Sequence, residues 1–183
     1  FRVGLDGAQG LFNIEPDITT FGKIIGAGLP VGAFGGKKEI MLKMAPVGNV
    51  YQAGTLSGNP AAMAAGLAQL NYLKNHKNIY SELNHMGDYF YGKIEKLVND
   101  KGFKYPINYV GSLGCIFFSE NHVQNYDDAK KSDTKMYAQY FHSLLGKGVY
   151  MAPSQFESMF ISAAHSKDEI DRTLLNIEVI FDL

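Results

Sequence analysis

The chain has 183 residues, 46% of them hydrophobic and 19% charged, with 17 Lys and Arg against 18 Asp and Glu for a formal net charge of −1. This composition excludes an intrinsically disordered chain, and the missing basic excess argues against a nucleic-acid or acidic-membrane partner. The longest unbroken run of small or apolar residues, Ile24 to Gly36, is cut by glycines and Pro30 and falls short of the ~20 residues that cross a bilayer. The single cysteine, Cys115, rules out an internal disulfide framework and points to a reducing, cytoplasmic setting. The five histidines, at 76, 85, 122, 142 and 165, lack the spacing of a zinc cluster, so no metal is expected. The chain opens on Phe1 and its first Met is Met41, which reads as the interior of a longer polypeptide.

In chain order, Asp17 to Phe21 reads as a short strand after Pro16, and Val31 to Phe34 as a second, with Gly26, Gly28 and Pro30 breaking the chain between them. Lys37 to Met44 predicts a short helix. Asn59-Pro60 predicts the start of a long one, because Asn caps a helix well and Pro suits its first position. The small residues Ala61 to Ala65 suggest that this helix packs closely on a sheet. A polar stretch, Asn75 to Asn78, separates this glycine-rich half from a second half of ordinary helices and strands.

In that second half Ile79, Leu83, Met86, Phe90, Ile94 and Leu97 recur at helical spacing. Asn108 to Val110 and Cys115 to Phe118 read as strands, and Met136 to Leu145 as a helix ended by Gly146 and Gly148. The last helix begins at the capping box Ser166-Lys167-Asp168-Glu169 and carries Ile170, Leu174, Ile177 and Phe181 toward a core. The class is α/β for the first half and α+β for the second.

Two nucleotide-binding patterns fail on inspection. Gly26-Ala27-Gly28 lacks the third glycine of a dinucleotide fingerprint, because Val31 stands there, and Gly87 to Lys93 has Ile94 in place of the metal-binding hydroxyl. Lys23 remains. It follows the apolar strand and precedes Ile24-Ile25 and a glycine-rich turn. An amine among buried strand residues is costly to keep charged, and a neutral amine is the nucleophile that condenses with an aldehyde. The competing reading is a lysine reaching from a strand end into water. A second cluster, Tyr51-Gln52-Ala53-Gly54-Thr55-Leu56-Ser57-Gly58-Asn59-Pro60, combines hydroxyls and glycines before a helix start, which suits an anion. It equally describes a turn leading into a capped helix.

Taken together, Phe21 to Gly36 and Ala53 to Pro60 resemble the lysine and phosphate-contacting segments of class III aminotransferases, enzymes of the aspartate-aminotransferase fold that use pyridoxal 5'-phosphate. Tyr150 to Glu157, followed by Ser162-Ala163-Ala164-His165-Ser166, is similar to a branch of that family that moves an amino group within one substrate molecule. The resemblance runs over essentially the whole chain. It implies the C-terminal portion of the fold-type I large domain at 1–75 and an α+β C-terminal small domain at 76–183. Lys23 matches the lysine that holds the cofactor and moves protons, and Gly54 and Thr55 match phosphate-binding positions that serve the neighbouring subunit of a homodimer. Tyr51 is implied to line the same cleft, and Glu157 matches a glutamate near the substrate, although Ser154-x-x-Glu157 is also a capping-box pattern. The family's aspartate for the pyridine nitrogen belongs upstream of Phe1, so the chain alone is expected to be inactive and prone to self-association. The alternatives are a class III ω-aminotransferase that uses an external amino acceptor, and a folded remnant without catalysis.

Overall fold

The computed structural model describes residues 1–182. Contacts divide the chain into two units, Phe1–Asn78 and Ile79–Leu183. In the first, a short helix α1 (Gly7–Leu11) precedes strand β1 (Ile18–Gly22), which pairs antiparallel with β2 (Gly32–Gly36) in the register Ile18↔Gly36 to Gly22↔Gly32. Lys37 closes the open end of this ribbon with an ion pair to Asp17 at 2.6 Å. Helix α1 is not legible in a stretch containing Gly7 and Gly10, both poor helix formers. Helix α2 (Lys38–Met41) is shorter than expected, because Met44 already bridges to Val50 around Pro46.

Helix α3 (Pro60–Asn75) starts as its sequence dictates: Pro60 occupies the first turn and the Asn59 side chain accepts the Ala62 N–H at 3.1 Å. Its buried residues are Ala62, Gly66 and Leu73. The expected sheet is not its main partner. Instead α3 packs on the 3-10 turn Lys23–Gly26 that follows β1, and a methyl group at Gly66 would lie 2.8 Å from the Ile25 carbonyl oxygen. Small residues on α3 therefore admit backbone.

The second unit is a three-stranded antiparallel sheet against helices. Helix α4 (Ile79–Asp100) leads into β3 (Ile107–Val110) and β4 (Leu113–Ile116), then the single turn α5 (Tyr126–Ala129) and α6 (Thr134–Gly146). Strand β5 (Met159–Phe160) pairs with β4, and α7 (Lys167–Phe181) ends the described chain. The capping box of α7 forms: Ser166 Oγ accepts the Glu169 N–H at 3.3 Å, and the Glu169 carboxylate accepts the Ser166 N–H at 2.7 Å. Among the described residues no helix is long and apolar enough to cross a membrane.

The core lies between α4, α6, α7 and the sheet. Phe118 sits at its aromatic centre, with Tyr105, Tyr140, Tyr137 and Phe181 ring centroids 5.0 to 6.4 Å away. On α4 the buried stripe is Gly87, Phe90, Tyr91, Ile94 and Val98, rotated from the predicted one, whose Ile79, Leu83, Met86 and Leu97 are only half-buried. The rotation has a steric cause. A methyl group at Gly87 would collide with the Gly111 carbonyl, and one at Gly114 would lie 2.6 Å from the Tyr91 ring. Helix and hairpin meet at backbone distance there.

Gly87→Ala and Gly114→Ala are each expected to destabilise the chain by about 1–3 kcal/mol through overpacking. Gly92→Ala, in the same helix with nothing within 4 Å of the added methyl, should stabilise it by about 0.5–1 kcal/mol. Urea unfolding of the three variants checks both signs.

Candidate active site

Lys23 begins the turn between β1 and β2. Its φ is +53°, in the left-handed region, and Ala27 and Gly28 at φ +50° and +91° complete the reversal. Hydrogen bonds from Ala27 N–H to the Ile24 carbonyl (3.2 Å) and from Leu29 N–H to the Gly26 carbonyl (2.9 Å) fix the loop. Ile25 and Gly26 are buried, with Gly26 seated against Val31, whereas Lys23 is exposed. The expectation of a desolvated amine is therefore not met in this chain. Among the described residues β1 has one neighbouring strand, β2, so the strand that leads to Lys23 is itself half covered.

The segment 51–60 is exposed throughout, with Tyr51 82% exposed. It is shaped by two consecutive turns, Ser57 N–H to the Gly54 carbonyl (3.0 Å) and Asn59 N–H to the Leu56 carbonyl (3.1 Å). Gly58 has φ +72°, and a methyl group at Gly54 would lie 3.1 Å from Ser57 Oγ. Gly54 thus leaves its backbone uncovered beside Thr55 and the Ser57 hydroxyl. Both this loop and the Lys23 turn are mounted on α3, the loop at its N-terminus and the turn at Gly66, about 10 Å apart along the axis. No hydrogen bond among the described residues joins Lys23 to Tyr51, Gly54 or Thr55. The chain brings the two segments onto one helix without merging them into one cluster.

Glu157 belongs to the second unit. No helix follows Ser154: the Glu157 N–H donates to the Ser154 carbonyl (3.0 Å) and the Phe156 N–H to Ser154 Oγ (3.2 Å), a tight turn that leads into β5. The capping-box pattern at Ser154 is not realised, because Met159 and Ile161 are buried while Phe160 is exposed, a period of two that belongs to a strand. Glu157 is exposed on the wall of a cleft of about 840 Å³, together with Tyr150, Met151, Pro153, His165 and Arg172.

The residues behind this wall carry no signal in the sequence. Gln155 is buried, 2% exposed. Its carboxamide donates to the Ile116 carbonyl at 2.7 Å and accepts the Phe118 N–H at 3.2 Å. Beside it the Cys115 thiol is buried, and burial pushes it from 9.0 up to about 11. Burial also raises the hydroxyls of Tyr91, Tyr137 and Tyr140. Tyr137 Oη donates to the Ala152 carbonyl at 2.6 Å, tying the start of the same loop to α6.

The profile of the family described as "Aminotransferase class-III" matches residues 4–181. The chain belongs to the class-III aminotransferases. Relatives of this family member include glutamate-1-semialdehyde 2,1-aminomutase 2 of Lachnoclostridium phytofermentans, 56% identical over 97% of the chain and 42% of the relative. The aminomutase of Ruminiclostridium cellulolyticum is 56% identical over 95% of the chain and 40% of its own length. Among solved structures, a β-phenylalanine aminotransferase from Variovorax paradoxus superposes with a TM-score of 0.91 at 27% identity, covering 99% of the chain and 42% of that structure. A glutamate-1-semialdehyde aminomutase from Pseudomonas aeruginosa shares the fold, with a TM-score of 0.86 at 18% identity over 100% of the chain and 42% of that structure. The α/β and α+β architecture is that of the fold-type I aminotransferases. The chain spans about two fifths of the length of the relatives it matches.

The raised thiol and hydroxyls fix a pH dependence. The folded chain holds protons that the unfolded chain releases, so the thiol's contribution to stability is full below pH 9 and is lost as pH rises from about 9 to about 11. Urea midpoints across that interval should fall, and fall less steeply in Cys115→Ala. A flat profile in the parent chain contradicts the assignment.

Proposed function

We propose that the protein carrying this chain is a glutamate-1-semialdehyde 2,1-aminomutase, which shifts an amino group between neighbouring carbons of glutamate-1-semialdehyde to give 5-aminolevulinate, a tetrapyrrole precursor. The observation that carries the reading is 56% identity to named aminomutases over nearly the whole chain, with Lys23 exposed at the left-handed turn after β1. Substrate and product are isomers, so no external amino donor or acceptor is consumed. The enzyme is read as a cytoplasmic homodimer.

The residues present fit pyridoxal 5'-phosphate. Lys23 offers an accessible amine on a turn pinned by buried neighbours, and Gly54 leaves its backbone uncovered beside Thr55 and the Ser57 hydroxyl. When bound, the cofactor and its pyridoxamine form supply an electron sink and a carrier for the amino group. Lys23 would hold it and, from one amine, serve the proton transfers at both reacting substrate carbons. The Gly54 and Thr55 backbone and the Thr55 hydroxyl would bind the phosphate in the neighbouring subunit, with Tyr51 lining that cleft. Glu157 would face the substrate from the small domain, which on this reading is 76–183, with 1–75 as the large-domain portion.

A second reading, a transaminase that releases its keto product to an external acceptor, is favoured by the solved β-phenylalanine aminotransferase likeness. The two separate on one assay. Full-length protein given glutamate-1-semialdehyde and cofactor alone should accumulate 5-aminolevulinate, and a requirement for an added amino acceptor would establish the transaminase instead. Lys23→Ala should lower turnover by about 10²–10⁴-fold and abolish the visible absorbance band that appears when pyridoxal 5'-phosphate is added to the parent protein. A band of equal intensity in the variant would remove Lys23 from the site.

A further inference from the structure

The Glu157 turn bulges from the sheet between two fixed points. Downstream, Met159 pairs with Gly114, and its carbonyl accepts Tyr91 Oη at 3.2 Å. The ladder continues through Ile161 N–H to the Ser112 carbonyl at 2.9 Å. Upstream the main chain leaves the β4 edge: among the described residues no backbone group bonds the Ile116 carbonyl or the Phe118 N–H, while the Phe118 carbonyl accepts the Asp133 N–H at 2.8 Å. A carbonyl at one position and an N–H two positions later face the same edge of an extended chain, and a residue of an adjacent parallel strand bonds both. The Gln155 carboxamide makes this pair of bonds, to the Ile116 carbonyl and from the Phe118 N–H. The side chain stands in for a peptide unit. The Gln155 main-chain carbonyl also accepts the Cys115 thiol at 3.5 Å, and Nε2 lies 3.5 Å from the same sulfur.

We propose that Gln155 is the positioning residue for Glu157: its carboxamide completes the β4 edge in place of a strand and so fixes the turn that presents the carboxylate two residues later. This rests on the reading of Glu157 as substrate-facing. The geometry suits the task. One bond would leave the turn free to pivot, whereas a donor and an acceptor on one planar group fix both its distance and its orientation. Tyr137 Oη on the Ala152 carbonyl restrains the approach to the turn, so Ala152, Gln155 and Met159 are all tied to the core while Phe156, Glu157 and Ser158 are exposed.

The test is a double-mutant cycle in the full-length enzyme. Glu157→Gln reports on the reading of Glu157 itself. Gln155→Met keeps volume and removes both bonds, and is expected to lower kcat/KM by about 10- to 100-fold, the scale of a displaced reactive group. Its loss should be divided between kcat and KM as in Glu157→Gln, and the double variant should be no worse than Glu157→Gln alone. Multiplying effects, or a different division of the loss, would overturn the positioning role and leave Glu157 in place. A fully active Glu157→Gln would remove the role of Glu157, and the proposal with it. Should Gln155→Met not fold, Gln155→Asn, one methylene too short to span both partners, is read in the same cycle. Amide exchange of Phe118, measured on the 183-residue chain, supplies a readout independent of activity. The Phe118 amide is expected to be protected in the parent chain and to exchange at least tenfold faster in the variant. A freely exchanging Phe118 in the parent refutes the bridge.

Discussion

Helix α4 lies on the β3–β4 hairpin so closely that neither Gly87 nor Gly114 has room for a side chain. Much of the second unit follows from that approach. It places the Tyr91 ring flat against Tyr109, with centroids 5.1 Å apart, and brings its hydroxyl to the Ser112 and Met159 carbonyls. Tyr91 is fully buried, so its hydroxyl needs those partners, since a buried polar group without one is costly. The bond to Met159 in turn holds the start of β5 against β4. A steric constraint at two glycines is thereby transmitted, through one phenol, to the loop that carries Glu157.

The elements that the sequence made legible are those specified by their own neighbours. The capping box at Ser166, the Asn59-Pro60 start of α3 and the helical period of α4 all depend on contacts within a few residues. The α4 stripe was drawn to one side of its buried centre, with Phe90 and Ile94 in the core and Met86 and Leu97 packed against it, because a hydropathy pattern scores Gly87 as nothing and Tyr91 as ambivalent, whereas the fold uses both as its closest contacts. Ser154-x-x-Glu157 has the same letters as a working helix cap, yet the alternation at Met159 to Ile161 and the waiting edge of β4 draw the chain into a strand. Gln155 was invisible for the same reason: a polar side chain is buried only where distant backbone offers it both a donor and an acceptor.

At the site, chemistry was more legible than environment. The motifs around Lys23 and Gly54 identified the family, because reactive side chains and close-approach glycines are local requirements. Burial of the amine was not local. It depends on what covers β1, and among the described residues β1 has β2 as its one sheet partner, with Ile18 and Phe34 of this ribbon exposed. An unpaired strand edge with exposed apolar side chains is a template for further pairing. Lys23 is thus fixed in backbone and open in surroundings.

The left-handed backbone at Lys23 sets two demands against each other. A residue with a Cβ is disfavoured there by about 1–2 kcal/mol, and glycine, which precedes it at Gly22 and recurs at Gly26 and Gly28, would fit without strain. The main chain at this position is best served by the one residue that has no side chain, while an amine requires the longest of stems. A lysine held in a glycine's conformation sets the ease of the turn against the presence of an amine. Relieving that conflict with Lys23→Gly would leave a turn more comfortable than the natural one and without its exposed amine.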